Sequence, residues 1–253
     1  MKKKFLIFFI FFVLSTPVSF AQELTAAVAA NVQYTFEELK ASFEQQTGIT
    51  LQSVVGSSGQ LTAQIENGAP FDIFLSADME YPQALYKKGL TGNPPKVYAY
   101  GTLVLWTLQD IDLSEGIKIL ADSKIKKIAV ASPQTAPYGR QAVNALKHYG
   151  LYSKVEEKLV YGESLSQVNQ FIVSQAADAG LTAKSVVLAG GIQNQGRWIE
   201  IEKDSYEPIA QGAVILKNVK EKNLAAAQKF FDFIFSEPAR KILQKYGYLP
   251  PSE

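Results

Sequence analysis

Four short stretches hold the residues that could do chemistry: Ala29-Ala30-Asn31, Gly56-Ser57-Ser58-Gly59, Thr135-Ala136-Pro137-Tyr138-Gly139 and Gly162-Glu163-Ser164-Leu165. Each has an apolar run before it, small or polar residues in the middle and a helical pattern behind it. A helix that begins at such a point leaves its first backbone N–H groups unpaired, and the partial positive charge there favours an anion. Asn31, Ser58 and Tyr138 add neutral side-chain donors. Charge-assisted hydrogen bonds contribute about 1.5–3 kcal/mol each, so roughly five to seven of them offset a large desolvation cost. Neutral donors also leave no buried cation unpaired when the anion is absent. The pattern points to a small oxyanion held by N–H and O–H groups, with the first strand end at Asn31.

Other chemistries are poorly supplied. The chain has no cysteine, which excludes disulfides, thiolate metal sites, a cysteine nucleophile and a lipobox cysteine. A single histidine, His148, allows no multi-histidine metal site. It stands on a helical pattern with Leu146 and Tyr149, so Ser58 has no base in view and a hydrolase reading lacks its partner. Acidic residues are scattered, which gives no support to a carboxylate metal cage. No catalytic residue and no cofactor are expected.

Each donor also has an ordinary structural reading. Asn31 suits a helix N-cap, although Thr35-Phe36-Glu37-Glu38 offers a competing start with capping-box spacing. Ser57 and Ser58 are common turn residues between glycines. Tyr138 could be a core aromatic at a helix start, and Leu165 is most simply core. Arg140 could pair with an anion or be solvated. The recurrence of the layout, rather than any single residue, carries the anion reading.

The elements that position these stretches alternate. Leu24 to Asn31 reads as a buried strand, and Val32, Phe36, Leu39 and Phe43 recur behind it at helical spacing. Ile49–Val55 is a β-branched strand, followed by a turn at 56–59 and a short helix with Leu61 and Ile65 that stops at Asn67-Gly68. Phe71–Leu75 is the next strand, with a helix beginning at Ser76-Ala77-Asp78. Lys96–Trp106 is long for one strand. Strands at Lys127–Ala131, Lys158–Tyr161 and Asp178–Thr182 alternate with helices, and Ser164-Leu165-Ser166-Gln167 has capping-box spacing. Ile199–Lys203 and Gln211–Leu216 are extended, and helices over Glu221–Phe235 and Pro238–Tyr246 finish the chain. This is an α/β pattern with parallel strands, in which ligands lie beyond the carboxyl ends of strands. The long segment near Tyr98–Trp106 and the pair near Ile199–Leu216 suggest two crossings between lobes, with a ligand cleft between them.

Length and composition agree. The 253 residues, 47% hydrophobic, suffice for one large domain or two lobes. The net charge of +1 offers no basic surface for nucleic acid or membrane. Lys2, Lys3 and Lys4 precede an apolar run from Phe5 to Leu14 that is too short for an ordinary membrane span. Pro17 breaks the run and Ser19-Phe20-Ala21 supplies small cleavage residues, so residues 1–21 read as a secretory signal peptide. Without those three lysines the 25 basic residues fall to 22 against 24 acidic ones, a mature charge of −2.

At this point a family likeness is visible. The mature chain resembles the periplasmic molybdate-binding proteins of ABC importers over nearly its whole length. The likeness is carried by Ala27-Val28-Ala29-Ala30-Asn31, by Gly56-Ser57-Ser58-Gly59-Gln60-Leu61, by Gln64-Ile65-Glu66-Asn67-Gly68-Ala69-Pro70-Phe71-Asp72-Ile73-Phe74-Leu75-Ser76-Ala77-Asp78 and by the tail Lys245-Tyr246-Gly247-Tyr248. It implies a type II periplasmic binding protein fold, with two mixed-sheet α/β lobes joined by a two-strand hinge. Lobe 1 would comprise residues 22–100 plus 207–253, and lobe 2 residues 101–206. It also implies a monomer in the periplasm that delivers molybdate, and tungstate, to a membrane permease and its ATPase.

Carried over by position, the resemblance places ligand contacts at Asn31, Ser58, Tyr138 and Leu165, with Ala30 offering only its backbone. Many members have a tyrosine after the strand near Gly180; here that position is Ala183, and Tyr138 fits the subset that supplies the tyrosine at the third loop. Molybdenum would enter only as the oxyanion. Tungstate is too close in size and charge to be separated, and a receptor for sulfate, phosphate or another tetrahedral oxyanion is the alternative. Effector domains of transcription regulators and the porphobilinogen deaminase type share the fold, but the signal peptide opposes the first and the absence of cysteine the second.

Overall fold

The computed structural model describes residues 23–192 and 195–251, so the signal peptide expected at 1–21 lies outside the described residues. Two five-stranded sheets organise the chain. The first is built around β1 (Glu23–Ala29), which runs parallel to β2 (Thr50–Gly56) on one side and to β3 (Ile73–Ser76) on the other. β4 (Lys96–Gly101) and β10 (Ile209–Ile215) complete it in the order β2-β1-β3-β10-β4, with β10 antiparallel to both neighbours. The second sheet contains β5 (Leu103–Thr107), β6 (Ile128–Ala131), β7 (Leu159–Gly162), β8 (Ala179–Ala183) and β9 (Arg197–Glu200) in the order β7-β6-β8-β5-β9. Here β5 is the antiparallel strand, in the place that β10 takes in the first sheet. Each sheet is therefore mixed in the same way, and each receives one strand from the chain as it crosses.

The helices follow the strands. They are α1 (Gln33–Thr47), α2 (Ser58–Glu66), α3 (Glu80–Lys87), α4 (Pro137–His148), α5 (Tyr152–Val155), α6 (Leu165–Val173), α7 (Lys184–Val187), α8 (Glu221–Ile234) and α9 (Glu237–Lys245). β1 is buried on both faces, as a central strand with parallel neighbours must be. Ala26 and Val28 face a core with Phe36, Phe43 and Phe230, in which the Phe43 and Phe230 rings meet edge to face at 5.1 Å. Ala27 faces the other core, with Leu61 and Phe74. A third core surrounds the second sheet and takes in Ala29, Ala30 and Ala77 from the first, so apolar packing is continuous across the cleft.

Several local expectations change. The long segment 96–106 is two strands in different sheets, divided at Thr102, because the chain changes lobe there. The 56–59 stretch is no turn: Ser57 caps α2, and Ser58 and Gly59 are helical. Ser76-Ala77-Asp78 does not begin a helix; α3 starts at Glu80. Thr35 is an interior residue of α1 instead of its cap, because the chain already turns helical at Ala30–Val32. Ser164 is the N-cap of α6 but its hydroxyl makes no capping bond; the Gln167 side chain instead accepts from the Glu163 N–H at 2.7 Å.

Gly139 sets how closely α4 approaches the second sheet. A Cβ there would stand 2.1 Å from the Ala131 carbonyl oxygen, which is backbone and cannot swing away. Gly139→Ala is expected to lift the start of α4 off β6 and cost about 1–3 kcal/mol, read as a lower urea midpoint at unchanged slope.

Candidate functional site

Four strand ends converge. After β1 a single 3-10 turn, Ala30–Val32, leads into α1, with no side-chain cap on either. After β6, Ala136 and Pro137 open α4, again with no side-chain cap, and Pro137 has no N–H to leave unpaired. After β7, Ser164 opens α6 without a capping bond. Of the four helices that begin at these ends, α2 alone is side-chain capped, by the Ser57–Gln60 box. Uncapped N-termini keep their backbone donors available for something other than the chain itself.

These ends meet around one small cavity. Ala30, Asn31, Ser58, Tyr138 and Leu165 all line it, together with Ala29, Ser57, Ala77, Ala136 and Pro137. No charged side chain is among the described lining residues. Arg140 is turned away and clasps Glu80, with Asp78 at 3.7 Å. His148 is exposed, its ring 5.1 Å from that of Tyr149. Ala183, at the end of β8, is fully buried and does not line the cavity.

The two serines differ in what they have left to give. Ser57 Oγ donates to Gln60 Oε1 at 3.0 Å and accepts from the Gln60 N–H, so its hydroxyl is spent on the cap. Ser58 Oγ accepts from the Ala77 N–H at 2.9 Å, which orients the hydroxyl and leaves its proton free to donate. Tyr138 is 1% exposed, and its hydroxyl has no partner among the described residues. It lies so close to the end of β4 that a Cβ on Gly101 would be 1.9 Å from it. Burial holds the Tyr138 phenol well above its ordinary pKa, so it stays a donor.

Asn31 is not a cap. Its Nδ2 donates to Gln211 Oε1 at 2.7 Å and to the Tyr248 hydroxyl at 2.9 Å, which uses both amide hydrogens. Gln211 cannot turn over to release it, because Gln211 Nε2 donates to the Ala77 and Ile209 carbonyls. Asn31 Oδ1 therefore stays an acceptor, without a partner among the described residues. The donors left at this strand end are backbone N–H groups.

Gln211, Tyr248 and Ser185 were not foreseen as site residues. Gln211 left one signal, a lone amide in the otherwise apolar stretch Ile209–Leu216. Tyr248 belongs to the tail that carried the family resemblance, and Ser185 left no signal.

Lobes built from mixed sheets, with uncapped helix ends meeting at a charge-free cavity between them, define a solute-binding protein of the type II periplasmic class. The profile of the family described as bacterial extracellular solute-binding protein matches residues 24–249, and the chain belongs to that family. It is 37% identical over 229 residues to the molybdate-binding protein ModA of Azotobacter vinelandii, covering 90% of each chain. It is also 37% identical over 230 residues to that of Rhodobacter capsulatus, covering 90% of this chain and 89% of the relative. The solved structure of the Azotobacter vinelandii periplasmic molybdate-binding protein superposes with a TM-score of 0.86 at 35% identity, over 90% of this chain and all of that one.

Asn31→Asp would set a carboxylate oxygen against Gln211 Oε1 and replace a donor by a buried charge. It is expected to cost at least about 2 kcal/mol at neutral pH. Urea unfolding at pH 7 and pH 5 checks this: protonation of the carboxyl restores a donor, so the loss should shrink at the lower pH.

Proposed function

We propose that the protein is an extracytoplasmic receptor that binds molybdate, and tungstate, in the interlobe cavity and delivers it to the permease and ATPase of an ABC importer. The observation that carries this reading is the cavity itself, lined from both lobes by Ala30, Asn31, Ser58, Tyr138 and Leu165 and by no charged side chain. A dianion there would be held by the N–H groups at the starts of α1, α2, α4 and α6 and by the Ser58 and Tyr138 hydroxyls. The identity to two molybdate-binding proteins over most of both chains supports the choice of ion.

Capture follows from the geometry. An anion that bridges donors on both lobes favours the closed arrangement by its differential affinity for it. The crossings between Gly101 and Leu103 and between Glu200 and Ile209 would serve as the hinge. In this reading residues 1–21 direct export to the periplasm and are removed, and the mature chain works as a monomer without a cofactor and without catalysis. Sulfate is smaller, so donors shaped for the larger ion stand too far from it.

A thermal-shift panel of sodium molybdate, tungstate, sulfate and phosphate tests the reading. At 100 times its dissociation constant a ligand adds about 2.7 kcal/mol, or very roughly 5–10 °C for a chain of this size. Molybdate and tungstate should give that shift; equal affinity for sulfate in competition calorimetry would sink the preference. Tyr138→Phe separates side chain from backbone. It removes a buried hydroxyl without a partner, so ligand-free stability should hold or rise while molybdate affinity falls about tenfold or more. Unchanged affinity in calorimetry would leave Tyr138 only its backbone N–H.

A further inference from the structure

Behind the cavity lies a buried polar cluster that touches the Asn31 turn without lining the site. Ser185 is the second residue of α7 and follows β8 of the second sheet. Its Oγ donates to the Asn31 carbonyl at 2.7 Å. The Tyr248 hydroxyl lies 3.0 Å from the same carbonyl and 3.2 Å from Ser185 Oγ, and accepts from Asn31 Nδ2. Gln211 closes the cluster on the other side of the Asn31 amide. Ser185, Tyr248 and Gln211 are all buried.

The members do not belong to the same body. Asn31 follows β1 and Gln211 lies on β10, both in the first sheet. Tyr248 is tied to that sheet through the bridge between Leu249 and Tyr100 of β4. Ser185 alone comes from the lobe of the second sheet. If the lobes part, Asn31, Gln211 and Tyr248 stay together and Ser185 leaves. The Tyr248 hydroxyl would still serve the Asn31 carbonyl, so the turn keeps its fold but loses its second restraint. In the closed arrangement the Ser185 bond is shielded from water, where a hydrogen bond is electrostatically stronger.

We propose that Ser185 is a positioning residue for anion binding, whose hydroxyl bond to the Asn31 carbonyl ties lobe closure to the orientation of the Ala30–Val32 donors. The inference rests on the anion reading of the cavity and extends it to a residue that does not touch the ligand. The bond forms only on closure, so its contribution falls on release of the ion rather than on its capture.

The test compares the wild-type chain with Ser185→Ala. Stopped-flow and calorimetry with sodium molybdate should show about tenfold weaker binding, the worth of one buried hydrogen bond. The loss should fall on the dissociation rate, with the association rate within about twofold. A second arm needs no ligand. The chain has no cysteine, so spin labels at Gln64→Cys and Glu157→Cys, both exposed and on different lobes, report interlobe distance alone. Ser185→Ala should shift that distribution to longer separations. An unchanged dissociation rate, or an unchanged distance distribution, overturns the proposal. Should the wild-type chain bind none of the oxyanions, the functional reading fails by itself, and the ligand-free distance measurement alone decides the role of Ser185.

Discussion

The turn at Ala30–Val32 and the starts of α4 and α6 open at one cavity, and none carries a side-chain cap. Unpaired N–H groups at a buried helix end are costly unless something accepts from them. Much of the architecture can be understood as keeping those ends aimed at one point. The parallel strands bring them there, because a parallel strand followed by a helix delivers each helix N-terminus to the carboxyl edge of its sheet. Small residues at the contact, Ala29, Ala30, Ala77 and Ala136, let the backbone itself form the wall.

The side chains around the cavity divide between those that contribute donors and those that hold donors still. Ser57 spends its hydroxyl on the α2 cap, which leaves Ser58 as the serine with a proton to give. Asn31 spends both amide hydrogens on Gln211 and Tyr248. A donor whose neighbours fix it needs little reorganisation when charge arrives, and such fixed dipoles act most strongly where water is excluded.

The lobes meet through polar contacts as well as through the cavity. Gly59 N–H donates to the Thr135 carbonyl at 2.8 Å, Ser166 Oγ to Gln33 Oε1 at 2.6 Å, and the Tyr81 hydroxyl to the Gln134 carbonyl at 3.1 Å. Arg140 clasps Glu80 across the same seam. These rim contacts are partly exposed, so each contributes modestly. The Ser185 bond to Asn31 is buried and lies next to the site. Gly101 completes the fit, since only a residue without a side chain lets the Tyr138 hydroxyl reach the crossing strand.

Much of this was legible in the amino-acid sequence. Alternating strand and helix patterns set the α/β class, and four stretches of small and polar residues at strand ends marked the cavity wall. Ala30, Asn31, Ser58, Tyr138 and Leu165 all fall on it. Where the local reading failed, the cause was tertiary. Residues 96–106 have continuous β propensity, and only the existence of two sheets divides them at Thr102. Asn31 favours an N-cap by type, yet its amide is claimed by Gln211 and Tyr248, 180 and 217 positions away. Local sequence sets which elements form and which donors exist, because propensity, capping and periodicity act over a few residues. The tertiary structure alone decided which donors remain free and which lobe Ser185 reaches across to, because those depend on hydrogen-bond partners brought together by the crossing of the chain.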